Sequence, residues 1–209
     1  MRHRAVIFDL GGVILDSPLH AIARFEIEQG IASGLVNSVV VETGREGAWA
    51  RLERGELSLP DFFTAFEEDC AGAGVRLSAR TLMERIGEAA APRPRMLEAV
   101  RRIRSHGLVA AALTNNWVGG ENGTDVLKPF FDFFVESSVV GLRKPDPRIY
   151  THTCDTLGVE PAEAVFLDDI GRNLKAARAL GMATIKVDDP DDALRELSEI
   201  LGFELLADT

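Results

Sequence analysis

The stretch RAVIFDLGGVIL, residues 4–15, introduces the pattern on which the rest of the chain is built. Its first part, residues 4–8, is a mostly apolar run with the length of a short buried strand, and Asp9 ends it. Gly11 and Gly12 follow, and their lack of side chains leaves the backbone open beside that carboxylate. The stretch therefore predicts a buried strand whose carboxyl end presents one aspartate next to a bare turn.

Four further apolar runs follow, and helical periodicity fills most of the intervals between them. The runs cover residues 107–116, 131–137, 163–169 and 182–189, and the predicted helices cover residues 94–106, 147–157, 173–180 and 193–201. Alternating strands and helices of this kind form a parallel sheet with helices on both faces. The predicted fold class is therefore α/β, with a Rossmann-like parallel sheet.

Polar side chains stand where several of these predicted strands end. They are Asp9, Thr114, Asn115, Asp168 and Asp169. Each has an ordinary explanation by itself, such as a turn, a helix cap or a solvated strand end. In parallel α/β sheets, however, ligands bind beyond the carboxyl ends of the strands. Because these residues converge at that edge, we interpret them as one site.

Residues 18–92 do not follow the alternation and have a purely helical pattern. Helices are predicted over residues 19–29, after Ser58 and after Ser78. Proline-containing segments at both ends of this block resemble hinges. We therefore predict two domains, a core of residues 1–17 and 93–209 and a helical cap of residues 18–92 placed over the site.

The composition limits the possible partners and locations of the protein. The chain has 209 residues, a net charge of −10 and 46% hydrophobic residues, which is typical of a globular protein. An acidic surface repels nucleic acid and anionic membranes, so neither is expected as a partner. The apolar runs are too short for a membrane span or a signal peptide, and the two cysteines show no CxxC spacing. These features favour a cytoplasmic protein.

The residue types at the predicted site suit phosphoryl transfer. Three carboxylates in one cleft repel each other unless a cation is present, and oxygen ligands suit Mg²⁺. A carboxylate can also attack phosphorus and form a covalent intermediate. The transferred group needs hydrogen-bond donors and positive charge around its oxygens, which Thr114, Asn115 and Lys144 could supply.

Four motifs give the chain a resemblance to the haloacid dehalogenase-like hydrolase superfamily, whose members are mostly Mg²⁺-dependent phosphatases. In order they are FDLGGV with Asp9, LTNN with Thr114, GLRKPDPRIY with Lys144, and VFLDDIGRNLKAARALGM with Asp168 and Asp169. Within that superfamily the chain is most similar to the N-terminal phosphatase domain of soluble epoxide hydrolase. The helical block lies where this family carries its cap, after the first strand.

The resemblance implies a nucleophile and a metal site. Asp9 is expected to be the nucleophile and a ligand of Mg²⁺. The backbone carbonyl of Gly11 and the carboxylate of Asp169 are the other expected ligands, and Asp168 is expected to hold metal-bound water.

The resemblance also implies how a small phosphorylated substrate would be bound. Thr114, Asn115 and the backbone amide of Gly12 are expected to bind the phosphate. Lys144 is expected to neutralise Asp9 and the phosphate, and Asn173 to orient the site.

Gly11 departs from the motif, because most phosphatases of this family carry a second aspartate there as general acid and base. A positioned acid or base contributes roughly 10²–10⁴-fold to a rate. Three hypotheses remain open: a phosphatase for substrates with good leaving groups, a metal-independent 2-haloacid dehalogenase, and a non-catalytic module that binds phosphate or a partner. The dehalogenase hypothesis gives no reason for the adjacent pair Asp168–Asp169. The sequence does not determine the substrate or the oligomeric state.

Overall fold

The computed structural model describes residues 3–117 and 124–206 and confirms the parallel sheet. The strands among these residues are β1 Ala5–Phe8, β2 Val109–Thr114, β3 Phe133–Glu136, β4 Ala164–Asp168 and β5 Ala183–Lys186. They pair in the order β3-β2-β1-β4-β5, and every pairing is parallel. Each predicted apolar run contains one of these strands, so the α/β fold class is confirmed.

The register of the central strands places the site residues side by side. Phe8 at the end of β1 pairs with Ala112 on one side and with Leu167 on the other. Asp9 therefore emerges beside Asp168, and Thr114 lies only two residues beyond Ala112. This arrangement follows from the apolar character of the strands, because their polar residues can only begin where the buried sheet ends.

Helices lie on both faces of the sheet and form a separate block between β1 and β2. In chain order they are α1 Pro18–Gln29, α2 Leu35–Thr43, α3 Ala48–Glu53, α4 Leu59–Gly72, α5 Ala79–Glu88, α6 Pro94–Ser105, α7 Ser137–Val140, α8 Pro147–Leu157, α9 Gly171–Ala179 and α10 Pro190–Leu201. Apolar residues of α6 and α10 pack on one face of the sheet, and those of α8 and α9 pack on the other. None of the described helices is long and apolar enough to cross a membrane.

The helical insert, residues 18–92, has a hydrophobic cluster of its own. Phe62, Phe66 and Trp49 form its aromatic centre, with Phe62 and Phe66 stacked 5.3 Å apart. Ser58 begins α4 by accepting a hydrogen bond from Asp61 N, and Ser78 begins α5 in the same way. Helices α2 and α3 were not among the sequence predictions. The separate cluster supports the proposed division of the chain into a core and a cap.

The two linkers between the insert and the core pair with each other. Asp16 N donates to Ala91 O at 3.0 Å, and Arg93 N donates to Ile14 O at 2.8 Å. The Arg93 guanidinium also donates to Gly12 O at 2.7 Å. The linker that leaves the insert therefore holds the backbone of the loop that follows Asp9.

Candidate active site

Three aspartates meet at the carboxyl edge of the sheet. Asp9 follows β1, Asp168 ends β4 and Asp169 comes next. Each offers one carboxylate oxygen within 4.8 Å of the others, and Asp9 and Asp168 are buried. Burial raises the pKa of Asp9 well above its ordinary value, and Asp168 and Asp169 raise it further while Lys144 lowers it. Such a cluster is stable as anions only where cations balance it.

Lys144 supplies part of that positive charge. Its ammonium lies 2.8 Å from Asp9 Oδ1 and 2.8 Å from Asp168 Oδ2, and the side chain is almost entirely buried. Burial acts to lower the pKa of Lys144, but Asp168 and Asp9 outweigh burial and raise the pKa above its usual value. With all three carboxylates ionised, one ammonium would leave a deficit of two positive charges, which a divalent cation would supply.

The adjacent aspartates differ in their partners. Asp168 accepts hydrogen bonds from Lys144, from Asn173 Nδ2 at 3.1 Å and from Ile170 N at 2.8 Å. Asp169 accepts from Ser17 Oγ at 3.2 Å, and its buried Oδ1 has no hydrogen-bond partner in the described part of the chain. A buried carboxylate oxygen without a donor is costly, and a metal ion would satisfy it.

The structure therefore fits the predicted metal role of Asp169. Asn173 and Lys144 both donate hydrogen bonds to Asp168, and the expected role of Asn173 in orienting the site stays a prediction. The water-holding role of Asp168 stays a prediction. Ser17, the last residue before the insert, was not identified from the sequence, because a single serine before a proline is typical of an ordinary helix start.

The two glycines after Asp9 have different environments. Gly12 has a φ of +80°, and a Cβ there would lie 2.1 Å from Asp169 Oδ2, so a side chain would displace that carboxylate. Gly11 lies outside the positive-φ region, but a Cβ there would lie 3.0 Å from Pro18 Cδ. The space in which the missing motif aspartate would begin is thus bordered by the first residue of the insert. The predicted contact of the Gly12 amide with phosphate stays a prediction.

Thr114 and Asn115 end β2 on the other side of Asp9. Thr114 is buried and lines the same cavity as Asp9 and Lys144. The Asn115 side chain instead holds the Lys144 backbone, since its Oδ1 accepts from Lys144 N at 2.8 Å and its Nδ2 donates to Lys144 O at 3.1 Å. The predicted contacts of both residues with phosphate stay predictions.

Two charged residues at the site were missed by the sequence analysis. Glu53 ends α3 and is buried, and Arg143 precedes Lys144. Arg143 Nε lies 2.5 Å from Glu53 Oε2, and Trp49 Nε1 donates to Glu53 Oε1 at 3.1 Å. The run LERGEL, residues 52–57, has the composition of an exposed charged surface, so it carries no signal for this burial.

Two adjoining cavities of about 130 Å³ each lie between the insert and the core. The catalytic cavity is lined by Asp9, Lys144 and Asp169, and the apolar cavity by Leu15, Ile86 and Trp117 among others. Both are lined by Gly11, Pro18, Trp49, Glu53, Thr114 and Asn115. The phosphate end and the apolar end of one ligand could therefore occupy adjoining spaces.

Comparison with known families and proteins agrees with this geometry. The profile of the haloacid dehalogenase-like hydrolases matches residues 3–181. Bifunctional epoxide hydrolase 2 of Sus scrofa is 39% identical, with 99% of this chain and 40% of that relative covered. The chain thus spans about two fifths of the length of this relative.

Two relatives of similar length carry different names. Sesquiterpene phosphatase astK of Aspergillus oryzae is 26% identical, with 95% of this chain and 97% of the relative covered. (S)-2-haloacid dehalogenase 4A of Burkholderia cepacia is 27% identical, with 88% and 82% covered.

A solved structure supports the fold independently. The enzyme BT-2542 of Bacteroides thetaiotaomicron, crystallised with magnesium and inorganic phosphate, superposes with a TM-score of 0.61 at 18% identity. The superposition covers 88% of this chain and 93% of the other.

Proposed function

The chain belongs to the haloacid dehalogenase-like hydrolases, and on that premise we propose that it is a Mg²⁺-dependent phosphatase. The proposed substrates are small organic phosphates or phosphorylated lipids, cleaved through an aspartyl-phosphate intermediate. The observation that carries the proposal is the cluster of three aspartates, whose Asp169 Oδ1 is buried without a donor among the described residues. The sesquiterpene phosphatase relative supports the same activity, and the structural neighbour crystallised with magnesium and inorganic phosphate shares the fold.

The residues present fit a magnesium ion. Asp9, Asp169 and the carbonyl of Gly11 would hold it, and Asp168 would remain on Lys144 and Asn173. Bound there, Mg²⁺ would neutralise the remaining negative charge and polarise a phosphate oxygen.

Asp9 is prepared to act as the nucleophile. Leu10 N donates to its Oδ1 at 2.7 Å, and Lys144 lies 2.8 Å from the same oxygen. No hydrogen bond from the described residues reaches Oδ2, which is therefore available for attack. In the first step an Asp9 oxygen bonds to phosphorus, and the bond from phosphorus to the leaving oxygen breaks. In the second step water attacks phosphorus and the bond from phosphorus to the Asp9 oxygen breaks, which restores the carboxylate and releases phosphate carrying both protons of the water.

Gly11 limits the first step, because it carries no acid to protonate the leaving oxygen. The leaving groups of acyl and anomeric phosphates depart without much protonation, so these phosphates are the favoured small substrates. The apolar cavity beside the catalytic cavity would accept an apolar leaving group, in agreement with the name of the sesquiterpene phosphatase. A cytoplasmic location belongs to this proposal as a prediction from the sequence.

The dehalogenase and binding-module hypotheses are less well supported. The named dehalogenase relative and the absence of an acid at Gly11 agree with attack on carbon. That chemistry, however, gives no use to the unpartnered oxygen of Asp169. A binding module would not need the contact of Lys144 with Asp9, since a bound phosphate requires no nucleophile beside it.

The test is phosphate release by the purified chain from four substrates, with Mg²⁺ and with EDTA. An acyl phosphate, a sugar 1-phosphate, a prenyl phosphate and a simple alkyl phosphate cover the leaving-group range. We expect Mg²⁺-dependent turnover of the acyl phosphate and the sugar 1-phosphate because of their leaving groups, and of the prenyl phosphate because the apolar cavity would bind its chain. Each rate should fall at least about 10³-fold in Asp9→Asn, because residues that act as a unit fail together. Halide release from 2-haloacids in EDTA, or tight phosphate binding by calorimetry without turnover, would contradict the proposal.

A further inference from the structure

A buried glutamate of the helical insert reaches the core at the catalytic cavity. Two hydrogen bonds and one ion pair hold the Glu53 carboxylate: Trp49 Nε1 donates to Oε1 at 3.1 Å, Asn115 Nδ2 donates to Oε2 at 3.3 Å, and Arg143 Nε lies 2.5 Å from Oε2 as an ion-pair partner. A buried charge is costly unless it is paired and hydrogen-bonded, and here both oxygens have partners. The insert therefore places one carboxylate, hydrogen-bonded at both oxygens, against two core loops.

Both core partners of Glu53 lead to Lys144. Asn115 holds the backbone N and O of Lys144 with the two ends of its amide. Arg143 is the neighbouring residue in the chain. The ammonium of Lys144 in turn lies 2.8 Å from Asp9. A displacement of Glu53 would therefore reach the nucleophile through two short connections.

The backbone around Glu53 shows that the insert contacts the core closely at this point. Gly55 has a φ of +70°, and a Cβ there would lie 2.3 Å from the carbonyl oxygen of Ser138 in α7. The end of α3 thus packs directly on the core element that precedes Arg143. The contact joins one element of the insert to the loop that carries Lys144.

We propose that Glu53 is a positioning residue that couples docking of the helical insert to the placement of Lys144. The inference rests on the proposed phosphatase function. Glu53 is not assigned to proton transfer, because Trp49 and Asn115 donate hydrogen bonds to its two oxygens. Since coupling between two sites is reciprocal, ligands at Asp9 and Lys144 should in turn favour the docked insert.

The first test compares Glu53→Gln with Glu56→Gln in steady-state kinetics. Glu56 lies three residues away on the insert, but it is exposed, and its ion pairs among the described residues are with arginines of the insert. We expect Glu53→Gln to lower kcat at least tenfold with KM within twofold, and Glu56→Gln to match the wild type. Arg143→Gln breaks the same ion pair from the core side and should reproduce the loss. Equal rates in Glu53→Gln and Glu56→Gln would overturn the proposal.

The second test does not depend on turnover and uses the indole N–H of Trp49 as a reporter. The chain has two tryptophans, so Trp117→Phe assigns the two signals in a nitrogen-15 NMR spectrum. Magnesium with inorganic phosphate should shift the Trp49 signal in the wild type and in Glu56→Gln, but not in Glu53→Gln or Arg143→Gln. The coupling would be overturned if magnesium with inorganic phosphate left the Trp49 signal of the wild type unshifted, or shifted it equally in all variants. If no substrate is hydrolysed, the phosphatase proposal fails and this experiment alone decides the role of Glu53.

Discussion

Asp9 and Asp168 stand at the ends of strands that are hydrogen-bonded on both sides, whereas Glu53 ends a helix of six residues in the insert. The position of the two aspartates is thus determined by backbone pairing inside the sheet. The position of Glu53 depends on side-chain contacts with the core. The carboxylates proposed to do the chemistry are therefore held by the sheet, whereas the placement of Lys144 depends on Asn115 and Arg143, which contact the insert through Glu53.

Lys144→Met should have the largest effect on folding stability, because it removes the ammonium that stabilises the buried aspartates of the core. Asp9 and Asp168 would then be buried next to each other without their ammonium. Removing one partner of a buried ion pair costs about 3–5 kcal/mol of stability. Urea unfolding in EDTA measures this loss. Lys175→Met removes an exposed lysine of α9 and serves as the control.

The pH dependence of that loss has a definite sign. Burial already raises the pKa of Asp9 in the folded protein, and Lys144 opposes that rise. Without Lys144 the folded pKa is higher still, so the protonated group contributes stability at low pH that disappears as pH rises through the folded pKa. The deficit of Lys144→Met should therefore shrink between pH 8 and pH 5. A deficit that is constant with pH, or no larger than that of Lys175→Met, would contradict this account.

Gly11→Asp tests how the core and the insert act together, because residue 11 belongs to the core but its side-chain space is bounded by Pro18 of the insert. The new carboxyl would supply the missing acid, so we expect a gain of up to about 10²-fold on a simple alkyl phosphate. An acyl phosphate should gain little, because its leaving group needs no proton. Pro18 must shift slightly, since a Cβ would lie 3.0 Å from its Cδ.

Gly11→Ala separates the acid from its steric effect, because it adds the Cβ without the carboxyl. It should show no gain on either substrate when initial rates are compared. An equal gain in both variants, or no gain in Gly11→Asp, would show that the missing acid does not limit the rate.

The two cysteines allow local opening of the insert and of the core to be compared directly, because Cys70 lies in the insert and Cys154 in the core. This is the smallest of the expected effects. Both are buried, and burial raises the pKa of Cys70 to about 12 and that of Cys154 to about 11. Alkylation at pH 8 therefore reports opening of the surrounding structure. We expect Cys70 to react about tenfold faster than Cys154, because local regions open more easily than a central sheet.

Mass spectrometry of each cysteine over time measures the two rates. Magnesium with inorganic phosphate should slow Cys70 more than Cys154, since ligands at the site should favour a docked insert. Equal rates for the two thiols would mean that the insert and the core open as one unit.

The sequence predicted the core more completely than the insert for a physical reason. The apolar runs that end at Asp9 and Asp168 must form buried strands, so strand positions and the edge that carries the site follow from them. Helices α2 and α3 begin after Gly34 and Gly47, neither of which has a side chain to accept a capping hydrogen bond. Their starts therefore carry none of the usual sequence signals.

The strand pattern located the site only where its residues follow strands, whereas Lys144 before α8 and Asn173 in α9 were identified from the motifs. The environment of Glu53 is created by Asn115 and Arg143, which are distant in sequence, so no local pattern could reveal it. Asp168 and Asp169 are adjacent residues of the same type, so only the resemblance to a family predicted different roles for them. In the structure they differ by their partners, since Lys144 and Asn173 occupy one and leave an oxygen of the other without a donor.

The pairing of the two linkers has a consequence for how this molecule can change. Asp16 and Ala91 are hydrogen-bonded neighbours, so the chain leaves the core and returns to it at nearly the same place. Another folded segment with similarly spaced ends could be spliced between them without pulling the strands apart. The residues at the carboxyl edge of the sheet could thus stay in place while the insert, and with it the surface that faces the substrate, was replaced.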